Sequence, residues 1–241
     1  MIYKTSLYIE RFFCRIIFTG LQKFMENLKE INCKEIFRKA YENRYTWEND
    51  FSGYQGKCTF INKNNIHEGR FLLGKDFKPN IQKIDDENIA KIIASQLFEV
   101  SIHRVRRDFH SIHSENNFNL IKSSESGIEM KVSGKNDGDK YRVKDLGINM
   151  VYRKIHGIII EIFVEDFLDT GNGLLSKKYT SQQVDPSTLK PNSQKLEYKD
   201  EFTNISKNDD WILNSRTIKY SNENNEEEIQ KFVFEELSLL N

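Results

Sequence analysis

The feature that most restricts how this chain can fold is a two-residue hydrophobic period between positions 128 and 164. Ile128, Met130 and Val132 alternate with Glu129, Lys131 and Ser133. Ile148, Met150 and Tyr152 repeat the spacing, and Ile158, Ile160, Ile162 and Val164 extend it. Successive side chains of a strand point to opposite faces, so this period makes one apolar face and argues against helix. Ser126-Gly127, Asp137-Gly138, Leu146-Gly147 and His156-Gly157 punctuate the runs. Glycine accepts the positive φ of tight reversals, so these sites read as turns between antiparallel neighbours. With only three prolines in 241 residues, turns fall to Gly, Asn and Asp.

The same reading extends along the chain. Strands are expected at 56–62 and 66–73 around Lys63-Asn64-Asn65, near 80–84, and at 117–123, 139–144, 174–183, 195–203, 211–220 and 229–237. The last two form a hairpin around 221–228. Phe232-Val233-Phe234 favours a strand there, although Ile229, Phe232, Val233 and Leu237 also suit helical spacing. Residues 184–194, with Pro186 and Pro191, read as an exposed excursion. A first helix over 32–46 opens with Asn32 as cap and Glu35 at capping-box spacing. A second, long helix over 87–112 opens after Asp85 and Asp86. Its stripe Phe98, Ile102, Val105, Phe109 and Ile112 is joined upstream by a rotated one, Ile89, Ile93 and Leu97. The fold expected is α+β: one large curved antiparallel sheet of about 9–11 strands, a half-barrel or open barrel, with both helices packed on it. In outline that resembles lipoprotein-carrier and calycin-like architectures.

Charge and length narrow the classes of function. Thirty-six basic residues balance 36 acidic ones, which argues against a dedicated nucleic-acid binder. No apolar stretch is long enough to span a bilayer as a helix. Cys14, Cys33 and Cys58 form no CxxC pair, so reduced thiols and a cytoplasmic location are expected. Residues 1–24 carry Lys4, Arg11, Arg15 and Lys23 against Glu10. Arg15 splits the best apolar run, and no small-residue cleavage site follows, so a secretory signal does not fit. A membrane-surface helix through Phe12, Phe13, Ile16 and Ile17 is one reading. The preferred one makes 1–24 an extension, Met25 the start, and 25–241 a single α+β domain.

Candidate chemistry gathers in three places. In HRVRRDFHSIH at 103–113, His110 and His113 are spaced to share a metal, while His103 lies too far along a helix axis to join them. Arg104, Arg106 and Arg107 offer guanidinium forks for a carboxylate or phosphate. On the expected helix Arg106 flanks the apolar stripe, from which it could reach Glu161 or an acidic head group. Asp169-Thr-Gly-Asn-Gly has the look of an aspartic-protease loop, but a single copy supplies one carboxylate and that chemistry needs two. Tyr41, Tyr45 and Trp47 combine apolar area with polar tips, as the mouth of a ligand cavity requires, and equally suit core packing.

AYENRYTW at 40–47, HRVRRDF at 103–109, DTGNGLLSKKY at 169–179 and SRTIKY at 215–220 resemble an uncharacterised family of cyanobacteria and plastid-bearing lineages, a domain of unknown function. The resemblance spans about residues 34–237 and brings no reaction or cofactor. It implies a photosynthetic prokaryote as host and a soluble or membrane-peripheral protein. His110 departs from the pattern, where an acidic residue is usual. The leading expectation is a non-enzymatic module binding an apolar or amphipathic ligand, lipid or pigment, with Tyr41, Tyr45, Trp47, Arg106 and Asp169 as ligand-binding residues. The alternatives are a metal-dependent or acid–base enzyme using His110 and His113 with Asp169, and an assembly partner of the photosynthetic apparatus.

Overall fold

The computed structural model describes residues 31–206 and 210–240. The expectations for 1–24, for Met25 as the start and for Cys14 lie outside these residues. Helix α1 (Cys33–Glu42) precedes strands β1 (Tyr54–Asn62), β2 (Asn65–Leu73) and β3 (Pro79–Gln82). Helices α2 (Glu87–Ile102) and α3 (Phe109–His113) follow. Then come β4 (Asn116–Ser124), β5 (Gly127–Gly134), β6 (Lys140–Lys144), β7 (Gly147–Ile155), β8 (Ile158–Asp169) and β9 (Leu174–Val184). Strands β10 (Leu196–Asn204), β11 (Trp211–Ser221) and β12 (Glu227–Leu239) end the chain. All twelve strands form one antiparallel sheet in the order β3-β2-β1-β12-β11-β10-β9-β8-β7-β6-β5-β4. The sheet stays open, with β3 and β4 as its edges. The one long-range step is β1 pairing with β12, Phe60 opposite Phe232 and Cys58 opposite Phe234.

The alternation holds in β5 and β8, but in β7 a register shift beside Val143 turns Met150 and Tyr152 to the other face and puts Val151 on that of Met130 and Ile162. Met130 lies opposite Tyr141, Tyr141 opposite Val151, and Val151 opposite Ile162, so one ladder of apolar side chains runs across β5 to β8. Cross-strand partners share a face, and this is the face that carries the helices. Helix α1 packs mainly on β4, β6 and β7, burying Phe37 and Ala40 against Met130, Val132, Tyr141 and Val143. Helix α2 packs mainly on β3 and β1, burying Ile93 and Leu97 over Phe60, Phe71, Phe232 and Phe234. Asn32 caps α1 through the Glu35 amide at 3.0 Å, as its position foretold.

Two helices are shorter than expected. The long helix over 87–112 does not exist: α2 ends at Ile102, residues 103–108 turn, and α3 restarts under an Asp108 cap that accepts from the Ser111 amide at 2.8 Å. The Arg104 carbonyl leaves the helical ladder and accepts from the Trp47 amide at 2.9 Å. A helix axis therefore never runs from Phe98 to Ile112. Those two are exposed, at 45% and 37%, and the rotated stripe with Ile93 and Leu97 faces the core instead. Helix α1 stops at Glu42 because residues 43–45 pair with β9: Leu174 donates to Asn43 and Tyr45 donates to Leu174, at 2.8 and 3.0 Å. The strand count is twelve, above the expected range. Among the described residues no helix is long and apolar enough to cross a membrane.

Candidate functional site

Between the footprints of α1 and α2 the central strands carry part of the helix-bearing face. Ile160, Ile162 and Val164 of β8 lie there, half-buried rather than buried. Val164 continues the row through Tyr179, Tyr198 and Ile218. Tyr179 and Tyr198 stack with ring centroids 4.7 Å apart and planes 6° from parallel.

Beside this apolar row sits a buried charged cluster that the sequence reading missed. Arg216 of β11 is 1% exposed and grips both oxygens of Asp200 in β10, Nε to Oδ1 at 2.8 Å and Nη2 to Oδ2 at 2.7 Å. Its Nη2 also donates to the Tyr179 hydroxyl at 2.7 Å and its Nη1 to Gln96 Oε1 of α2 at 3.0 Å. Glu99 of α2 lies 3.4 Å from the same Nη1, and the Tyr198 ring lies under the guanidinium at 5.0 Å. Burial disfavours the charge, but Tyr179, Asp200 and Glu99 outweigh it and hold Arg216 protonated. Burial likewise pushes the Tyr179 hydroxyl well above the usual phenol range. The signal was available: Asp200 alternates with Tyr198 and Phe202 on strand positions that face inward.

Further cations converge on the same region. His103 follows α2 and is solvent-exposed, yet protein crowds it enough that its imidazole is pushed down to about 4. Desolvation is the first cause, and the charges of Arg104, Arg44, Arg216 and Arg153 follow. Arg153 pairs with buried Asp139 at 3.3 Å, and Arg44 lies 3.8 Å over the Tyr41 ring while its Nε donates to the Tyr41 carbonyl.

Arg104 is the exception. It is 9% exposed, its Nε is buried without a partner, and its side chain makes no hydrogen bond or ion pair among the described residues. Its Cζ lies 5.3 Å over the Phe202 ring. Burial lowers its pKa to about 10, with Asp200, Tyr179 and Tyr45 opposing. Arg104 also lines a cleft of about 140 Å³ with Trp47, Phe51, Phe77, Lys75 and Arg106. Trp47 stacks there on Phe51 at 4.2 Å and on Phe77 at 5.6 Å. Phe77 is held at φ +54°, an uncommon backbone setting for an aromatic residue.

The expected site residues divide. Trp47 and Arg106 meet at this cleft, but Arg106 is exposed, donating to Glu48 Oε1 at 2.8 Å and Thr46 Oγ1 at 3.2 Å, and not reaching Glu161. The buried arginine is Arg104, because helical geometry ends at Ile102 and an angle reckoned along an unbroken helix does not hold beyond it. Tyr45 and Trp47 clamp the backbone of Trp211: the Tyr45 hydroxyl accepts from its amide at 2.8 Å and the Trp47 indole donates to its carbonyl at 3.0 Å. Tyr41 lies in the α1 cluster, its ring 5.6 Å from Phe109. Asp169 is exposed and caps its own turn, accepting from the Gly171 amide at 2.9 Å. His113 is buried among Phe37, Tyr41 and Phe109 with Asn116 Nδ2 at 3.0 Å, whereas His110 is exposed. Among the described residues no three His, Cys, Asp or Glu side chains gather as a metal site, so His110, His113 and Asp169 are not brought together.

The sequence over residues 28–240 matches the model of a family described as protein of unknown function, DUF3386. The chain belongs to this family. No curated protein matches it. Among solved structures it is similar to a LolA superfamily protein from Nitrosomonas europaea, with a TM-score of 0.33 and 9% identity over 88% of this chain and 94% of that one. It is also similar to a DUF1329 family protein from Desulfovibrio piger, with a TM-score of 0.28 and 11% identity over 86% of this chain and 92% of that one. At these scores the likeness is too loose to assign a ligand to this chain.

Proposed function

We propose that the protein is a non-enzymatic module that binds an amphipathic ligand, a lipid or pigment, on the open centre of its helix-bearing face. One observation carries this reading: Ile160, Ile162 and Val164 stay half-buried between two helices whose own footprints are tightly packed. A half-buried apolar row beside the buried Arg216 suits a ligand with an oily body and a polar end. A twelve-stranded twisted sheet curls rather than lying flat, so the half-barrel expected from the sequence supplies the concavity. The motif resemblance supports a photosynthetic prokaryote as host, and the spacing of the cysteines a cytoplasmic location.

The test is native mass spectrometry of protein purified from its own host, with extraction of whatever it carries. Co-purification of a lipid, carotenoid or tetrapyrrole at about one per chain is expected. A ligand-free chain with no affinity for any of the three defeats the proposal.

A further inference from the structure

The interior under α2 buries two arginines and one carboxylate. Arg216 and Arg104 are both buried there, and Asp200 is the one buried carboxylate among the described residues of that region. Asp200 is already held by two bonds from Arg216, and Glu99, the other acid of the cluster, bonds at Arg216 and stays partly exposed. Arg104 is left with an aromatic face and an orphaned Nε. A buried ion without a counterion is costly, and native structures keep such groups paired or use them. The cleft that Arg104 lines is cationic too: Lys75 and Arg106 share it, and the acid on its wall, Glu48, is engaged by Arg106. Its other walls are Trp47, Phe51, Phe77, Asn49 and Val105. At about 30 Å³ per water, 140 Å³ accommodates a small head group and the first carbons behind it.

We infer that Arg104 is the anion-binding residue for the ligand's polar end, and that the ligand is an amphiphile with a single acidic head group, a carboxylate or phosphate monoester, whose head group alone is seated in the Trp47–Phe77 cleft. The inference rests on the proposal of an amphipathic ligand and adds the chemistry of its polar end. A guanidinium fork matches either planar carboxylate or phosphate oxygens, and the aromatic walls around the largely buried Arg104 strengthen the attraction by lowering the local dielectric. The ligand supplies the counterion that the chain lacks.

The experiment compares decanoate with decanol, and each with inorganic phosphate, by calorimetric titration and thermal melts of the full chain. Wild type is expected to bind decanoate at least about tenfold more tightly than decanol. Arg104→Met should equalise the two by weakening decanoate alone, and Arg104→Lys should recover part of the preference. Without ligand, Arg104→Met should melt at or above the wild-type temperature, since it removes an unpaired buried charge; an arginine with a purely structural role would lower it. Equal affinity of wild type for decanoate and decanol overturns the inference and leaves the amphipathic-ligand proposal standing. That wild-type ratio requires no variant to fold. Stabilisation by phosphate with no decanoate preference also overturns it, assigning Arg104 to a free anion. Failure to bind either decyl probe, with a ligand-free chain recovered from the host, removes both readings.

Discussion

Arg216 and Asp200 form a two-bond ion pair across neighbouring strands, with both side chains 2% exposed or less. Charges so deeply placed contribute little net stability as a pair, but removing one partner strands the other. Asp200→Ala is expected to cost about 3–5 kcal/mol, measured by urea unfolding. The double variant Asp200→Leu, Arg216→Met should recover much of that loss. A double variant as unstable as the sum of the two singles would show that the two residues act separately.

Gly173 lets the segment after α1 cross the start of β9. Its φ is +131°, and a Cβ there would lie 2.7 Å from the Tyr45 nitrogen and 2.9 Å from the Arg44 carbonyl carbon. Gly173→Ala should therefore destabilise by about 3 kcal/mol, backbone strain and clash together. Gly171, two residues earlier, has φ +83° and open space around its would-be Cβ, so Gly171→Ala should cost about 1 kcal/mol. Equal melts for the two variants would contradict the crossing.

His113 makes stability pH-dependent. Burial first, then the charges of Arg153, Arg44 and Lys34, push its pKa from 6.5 down to about 4. The folded state therefore favours the neutral ring. The stability from this residue is complete above pH 6.5, declines as pH falls and is gone once pH passes about 4. The loss amounts to at most about 3.5 kcal/mol, from about 1.4 kcal/mol per pKa unit. His113→Phe should unfold with a shallower dependence over that window than wild type. Parallel stability curves for the two proteins would refute the assignment.

Neighbouring residues of α2 should respond in opposite ways. Leu97 is fully buried under the helix, and Leu97→Ala should cost about 2–5 kcal/mol. Phe98 projects to solvent, and Phe98→Ser should change stability by less than about 1 kcal/mol. Chemical denaturation of the two variants decides which stripe faces the sheet.

Arg106 carries an exposed ion pair to Glu48, and such pairs contribute about 0–1 kcal/mol. Arg106→Ala should shift the unfolding midpoint only slightly, and the small effect should shrink further in high salt. A large, salt-independent loss would place its guanidinium in a buried partnership instead.

The strand pattern was legible because it is local. Alternation at 128–133, 148–152 and 158–164 and the turn glycines between them specify hairpins, and hairpins paired in sequence order produce most of the sheet. The Asn32 cap and the strand at Phe232–Phe234 are equally local signals. The end of α2 was not legible: Ile102, Val105 and Phe109 keep helical spacing, and only the Trp47 amide, 57 positions away, shows where the Arg104 carbonyl goes.

The candidate site divides in the same way. Residue types alone drew attention to Trp47 and to the arginines of 104–107, because aromatic walls and guanidinium forks have recognisable chemistry. Which arginine is buried, that Asp200 is already taken by Arg216, and that Gly173 is where another segment crosses were decided by tertiary contacts between distant strands. Side-chain period depends on neighbours in the chain and can be read from it. Burial and charge pairing depend on neighbours in space, and only the assembled sheet and its helices bring those together.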